Sequence, residues 1–306
     1  MRTGVLSGVA AYGLWGLFPL YFPLVDRAGP VELLAHRIGW SLLFVGAFLA
    51  LRRQLGPVGA LLRDRRRLRL LTLSAVMIAG NWGLYIYAVT TDRVIEAALG
   101  YFINPLLSVG LGLALFGERL RPAQTAALGL GTVAVVVLAA FSATGFPWIA
   151  VSLAVLFAGY GLVKKLADVG AAEGLMVETL VLAGPAALFL GVLAARGDGT
   201  FTTEGVGHAL LLVAAGPVTA IPLVLFSACV TRVPLSTVGL LQYLAPVLQF
   251  LIGWLVAGET MPAARWAGFA LVWTALVVLS ADALRASAAG RRAATSGDAE
   301  PQPMVA

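Results

Sequence analysis

The sequence predicts an all-α integral membrane protein of about ten transmembrane helices, built as two inverted five-helix repeats. The first observation behind this is composition. Apolar residues make up 60% of the 306 and charged residues 12%, against roughly 45–50% and about 25% in soluble domains. A soluble chain of this size exposes too many residues to water to hide that much apolar surface, whereas a bilayer makes the outer surface apolar as well. The second is spacing: apolar runs of about 20 residues, the length that crosses a bilayer, recur between charges and Gly/Pro punctuation. The third is an internal duplication, in which 94–118 aligns without gaps to 235–259 at a constant offset of 141.

Taken in order, the runs predict helices at 3–23, 32–51, 70–90, 95–116, 123–141, 148–166, 175–195, 207–229, 235–257 and 263–283. The first run follows Arg2, but no small-x-small cleavage pattern follows it, so it reads as a retained helix. Counting Arg and Lys with the N-terminus inside leaves sixteen on the cytoplasmic side, four outside (Arg27, Arg93, Arg196, Arg265) and Arg37 alone within a span. That asymmetry predicts both termini in the cytoplasm. It also accounts for the net charge of +6 without nucleic acid. The basic cluster from Arg63 to Arg69 is a solvated inside loop or a contact to anionic lipid, and Lys164 and Lys165 read as inside anchors at a helix end. Residues 285–306, rich in Ala, Ser, Gly, Pro and charge, read as a disordered tail. The domain reading is therefore 1–141, 142–284 and the tail.

Within the duplication the identical pairs are Leu99/Leu240, Pro105/Pro246, Leu107/Leu248, Gly112/Gly253, Gly117/Gly258 and Glu118/Glu259. A proline follows each Gly-Glu within four residues (Pro122, Pro262), which suits the first turn of the next helix. Five helices per half is an odd number, so the second half enters the membrane from the opposite side. Inverted halves that meet at a mid-membrane site recur in secondary transporters.

Ionisable and polar groups inside spans are expensive and line cavities or pair with one another. Glu32 and His36 share a face of the second span at a four-residue spacing, with Arg37 one step around. The three form either an interfacial structural cluster or a site for an anion or a proton. Asn81, Trp82 and Tyr85 on the third span, and Tyr101 and Asn104 on the fourth, are candidate binding residues; the alternatives are an aromatic belt and interhelical glue. Gln242 and Tyr243 repeat the scheme on the ninth span. Pro105 and Pro246 each free a backbone carbonyl in mid-membrane and are candidate hinges. Glu178 reads as a carboxylate near the start of the seventh span, favoured by the helix dipole. Gly4 and Gly8 have small-xxx-small spacing, and Cys229, the single cysteine, reads as a core residue. No Walker A, His-Glu-x-x-His or Gly-x-Ser-x-Gly signature is present, so neither a cofactor nor a metal is expected. The competing class is a membrane-embedded enzyme acting on lipid-linked substrate, which needs a carboxylate pair or metal cluster.

The stretches 36–41 (HRIGWS), 80–89 (GNWGLYIYAV) and 96–106 (EAALGYFINPL), extended by 160–165 (YGLVKK) and by Ser236 and Thr237 through Pro246, resemble the RarD subgroup of the EamA transporters in the drug/metabolite transporter superfamily. Val247 departs from the Thr that many relatives carry after the proline. The resemblance implies a ten-helix plasma (inner) membrane permease with two EamA domains. It also implies gradient-driven transport of small metabolites or drugs, with export the general expectation of the superfamily.

Overall fold

Described in the computed structural model are residues 2–91, 94–140 and 147–256, with positions 266, 270, 271, 273, 274, 277, 278 and 281. The predicted tenth helix (263–283) as a continuous element, the Gly258-Glu259 echo and the 285–306 tail lie outside the described residues. Every regular element described is a helix. In chain order these are α1 (Arg2–Gly16), α2 (Phe18–Tyr21), a 3₁₀ turn (Phe22–Val25), α3 (Pro30–Leu51), α4 (Leu55–Arg63), α5 (Arg65–Thr90), α6 (Val94–Phe116) and α7 (Pro122–Ala140). There follow α8 (Trp148–Ala167), α9 (Ala171–Arg196), α10 (Thr200–Thr203), α11 (Gly205–Val230), α12 (Leu235–Leu241) and α13 (Leu244–Leu255). Among the described residues, six segments are long and apolar enough to cross a membrane: 2–25, 30–51, 65–88, 148–167, 171–196 and 205–230. The chain is a multi-pass membrane protein.

Local chemistry explains where the helices differ from expectation. The first span breaks after Gly16 into α2 and the 3₁₀ turn, because Pro19 and Pro23 cannot donate and crowd the carbonyls four residues back. Pro19 frees the Trp15 carbonyl, and the Gln249 amide donates to it at 3.1 Å. The predicted ninth span is two pieces, α12 and α13. Pro246 crowds the Gln242 carbonyl, and the break falls at Gln242-Tyr243; Pro246 then sits in the first turn of α13, where a missing N–H costs no helical bond. α6, by contrast, continues through Pro105.

The third span starts earlier than predicted, at Arg65, since Asp64 Oδ1 accepts from the Arg66 and Arg67 N–H groups at 3.0 and 3.1 Å and caps the helix. The loop before it holds α4, whose Val58 and Leu61 are buried. Pro122 opens α7 as expected, with Gln124 Oε1 accepting from the Arg121 N–H at 2.9 Å, a capping-box contact. α9 also starts earlier, at Ala171, so Glu178 lies two turns inside it rather than at its start.

The helices pack pairwise as α1 on α11, α5 on α8, α3 on α11, α5 on α9, α6 on α8, α1 on α13, α3 on α9 and α6 on α12. Two crossings need glycine. A Cβ at Gly239 would lie 2.7 Å from the Pro105 carbonyl oxygen, and one at Gly216 would lie 2.6 Å from the Trp40 backbone. Gly4 and Gly8 likewise face Arg232, Val233, Leu241 and Cys229, so their spacing is a helix seam, and Cys229 is buried in it. An aromatic cluster of Tyr12, Trp15, Phe157, Tyr160 and Phe226, with ring centroids 5.3–6.2 Å apart, fills the middle of the bundle.

Candidate functional site

Above that aromatic cluster lies a cavity of about 490 Å³. It runs from Tyr12, Phe157 and Leu223 in mid-bundle to Asp26 and Pro30 at the α1–α3 connection. The broken end of the first span supplies Phe18, Pro19 and Phe22 to its wall, so the prolines that interrupt the helix also shape the opening.

Arg37 is its one cationic lining residue among those described. Its Nε donates to Thr219 Oγ1 at 2.8 Å. Its Cζ stands 4.6 Å from the Trp82 ring centroid and 5.9 Å from that of Phe18, contacts worth about 0.5–2 kcal/mol for a partly desolvated cation. No described carboxylate pairs with it. The guanidinium carries five N–H donors in a fixed fork, and one is used by Thr219, so the remainder suit an anionic group inside the cavity.

Two further lining residues carry a buried polar atom without a hydrogen-bond partner, Asn104 Oδ1 and Gln242 Oε1, and the Tyr12 hydroxyl lies beside the Gln242 amide. Gln242 Nε2 donates to Ser108 Oγ at 3.1 Å, which fixes the amide with its oxygen free. Buried polar groups are ordinarily satisfied; an unmatched donor–acceptor set around an apolar, aromatic-walled space is what a bound amphipathic molecule would complete.

Of the residues the sequence singled out, Arg37, Trp82, Tyr85, Tyr101, Asn104, Gln242 and Pro246 line this cavity, with Tyr85 and Tyr101 in edge contact at 6.1 Å. The others lie off it. Asn81 is buried and donates to the Leu153 carbonyl at 2.9 Å, tying α5 to α8. Tyr243 is fully buried against Phe102. Pro105 faces the α6–α12 crossing. His36 stacks on Phe201 at 5.2 Å beside Glu32, whose Oε1 accepts from the Thr200 N–H at 2.7 Å and the Thr200 hydroxyl at 3.1 Å. The Glu32–His36–Arg37 cluster therefore divides: two members fasten α10 to α3, and the third enters the cavity.

Tyr12, Trp15, Phe18, Phe157 and Thr219 were missed. The first three recur every three residues along one face of the opening span, a signal that composition alone hides. Lys164, read as an anchor, is 1% exposed and meets Glu178 at 3.0 Å, whereas Lys165 donates to the Val233 carbonyl at 2.8 Å. Glu118 is held at the same end of the bundle by the backbone N–H groups of Leu235 and Ser236, at 2.8 and 2.9 Å.

A polytopic helical bundle with an amphipathic, aromatic-walled cavity between its helices is the build of a small-solute membrane transporter. The EamA-like transporter family model matches residues 2–140. Protein RarD of Streptomyces exfoliatus is 55% identical over 95% of this chain and 92% of its own. The chloramphenicol-sensitive protein RarD of Pseudomonas aeruginosa is 30% identical over 92% and 95%. One crystal structure superposes with a TM-score of 0.70 at 23% identity, covering 90% of this chain and 96% of the other, a likeness of fold. The chain belongs to the EamA-like transporter family, as a RarD-type member of the drug/metabolite superfamily.

Proposed function

We propose that the chain is a gradient-driven exporter of small amphipathic metabolites or drugs in the plasma membrane, with both termini cytoplasmic. The observation that carries this reading is the cavity, in which an Arg37 fork, two unmatched polar atoms and an aromatic wall converge. Arg37 would hold a carboxylate or other anionic oxygen. Asn104 and Gln242 would accept from an amine or hydroxyl, and Trp82, Tyr85 and Tyr101 would cover the apolar part. The competing enzyme reading needs a pair of carboxylates, and Asp26 is the one carboxylate among the described lining residues.

The reading includes two inverted repeats, 1–141 and 142–284, with 285–306 as a cytoplasmic tail. In it, α6, α7 and α12–α13 are the fourth, fifth and ninth spans, and a tenth follows. The packing supports it. Exchanging each span for the one five later turns α5 on α8 into α11 on α1, α3 on α11 into α9 on α5, and α6 on α8 into α12–α13 on α1. The α3–α9 and α6–α12 pairs map onto themselves. All of these pairs occur. The family match at 2–140 has the length of one such repeat. Alternating access would then be the rocking of one half against the other, with the present form open at the Asp26 end. Its other end is closed by the aromatic cluster and the Glu118 and Lys165 clasps.

An unbiased metabolite comparison of deletion and overexpressing strains tests the assignment. An exporter enriches its substrate in the medium of the overexpressing strain. Enrichment inside the cells reverses the direction, and identical profiles contradict the transport reading.

A further inference from the structure

Below the main cavity a second, small one of about 10 Å³ is lined by Arg37, Ser41, Trp82, Tyr160, Glu178 and Thr219, among others. It shares Arg37, Ile78, Trp82 and Leu223 with the main cavity. Its size is about that of one water, and its exposed wall is almost wholly apolar. At its far side Glu178 Oε1 meets Lys164 Nζ at 3.0 Å, with both side chains 2% exposed or less, and accepts a hydrogen bond from Ser74 Oγ. Glu178 Oε2 is buried and makes no hydrogen bond of ordinary geometry, and the buried Tyr160 hydroxyl stands beside the carboxylate.

A buried ion pair contributes little net stability compared with apolar packing, and this one leaves a carboxylate oxygen without a well-formed hydrogen bond beside a small cavity that shares four lining residues with the binding cavity. Resting on the reading of the chain as a gradient-driven carrier, we propose that Glu178 is the proton-binding site that couples transport to a proton gradient, with Lys164 as its counter-charge. A proton reaching the small cavity from water in the main one binds Oε2 and neutralises the carboxylate. Lys164 stays an ammonium ion, so the site passes from net zero to +1 and the attraction that clamps α9 to α8 weakens. Release of the same proton from Oε2 toward the opposite side restores the pair.

The groups facing Glu178 are accounted for on each element packed there. Lys164 and Tyr160 come from α8, Ser74 from α5, and Arg37 from α3 across the small cavity. α11 supplies the neutral Thr219, and α4 packs on α9 with Val58 and Leu61 buried. The other titratable cluster, Glu32 with His36 and His208, is engaged by Thr200, and none of its three members lines either cavity.

Infrared titration of the full chain in lipid nanodiscs, without any transported solute, tests this. On acidification the parent protein gains a protonated-carboxyl band that is lost in Glu178→Gln and kept in Glu173→Gln. Because Glu178→Gln leaves Lys164 unpaired and risks misfolding, the Lys164→Met/Glu178→Gln pair is measured beside it and lacks the band too. An unchanged band in the folded double variant overturns the proposal. In proteoliposomes, an imposed pH gradient accelerates flux of labelled chloramphenicol through the parent and not through Glu178→Gln. Equal acceleration in both also overturns it. A parent that carries no labelled chloramphenicol counts against the carrier reading, while the infrared result still decides the role of Glu178.

Discussion

The Arg37 guanidinium lies 4.6 Å over the Trp82 ring, so among the described residues this cavity-lining cation is held by an aromatic face and the Thr219 hydroxyl. Lysine keeps the charge but loses the planar fork and its stacking. Arg37→Lys is therefore expected to weaken binding of an anionic substrate about tenfold, equivalent to about 1.4 kcal/mol, with folded yield near normal. Affinity per folded molecule is the measurement. Unchanged affinity in Arg37→Gln would remove Arg37 from the site.

Gly239 faces the Pro105 carbonyl oxygen, 2.7 Å from where a Cβ would sit. Gly239→Ala must push α12 off α6 and is expected to cost about 1–3 kcal/mol, the usual range for overpacking. Gly39→Ala, with open space around it, serves as the control. Thermal denaturation in detergent separates them, and equal melting would show that the α6–α12 crossing yields easily.

How much of this was legible in the sequence depended on which physical signal each feature leaves. Spans are legible because a bilayer demands long apolar runs, and the six segments at 2–25, 30–51, 65–88, 148–167, 171–196 and 205–230 match predicted ones. Helix rotation is less so: Asn81 and Tyr85 share a face by spacing, yet one bonds α8 and the other lines the cavity. Lys164 was hidden because a lysine in a last helical turn looks the same in sequence whether it reaches water or a buried Glu178. Pro246 signalled an interruption, but that it ends α12 while Pro105 leaves α6 intact depends on tertiary packing.

Removing one partner of a buried ion pair costs far more than removing both. Lys164→Met alone is expected to destabilise by about 3–5 kcal/mol, with most of that recovered in Lys164→Met/Glu178→Gln. A thermal-melt double-mutant cycle reads the difference. Additive losses would mean that the two side chains do not depend on each other.

The two prolines make a paired prediction. Pro105→Ala and Pro246→Ala should each slow transport while leaving expression and insertion near normal: the first restores a backbone hydrogen bond inside α6, and the second removes the ring that crowds the Gln242 carbonyl where α12 and α13 part. Parent rates in both variants would remove the hinge role.

Topology follows from the sixteen-to-four charge division. In a Cys229→Ser background, a cysteine at the exposed Gly197 should label from outside intact cells, and one at Ala289 should not. Labelling at Ala289 would invert the orientation.

Counterflow tests the central claim most directly. Proteoliposomes holding the purified chain are loaded with an unlabelled probe, chloramphenicol or an aromatic amino acid, and diluted into trace labelled probe. A carrier with a single alternately exposed cavity gives a transient overshoot of label inside, because each inward return is speeded by substrate on the far side. Label entry no faster than in protein-free vesicles across the probe panel, or entry that the internal pool does not accelerate, would contradict the account.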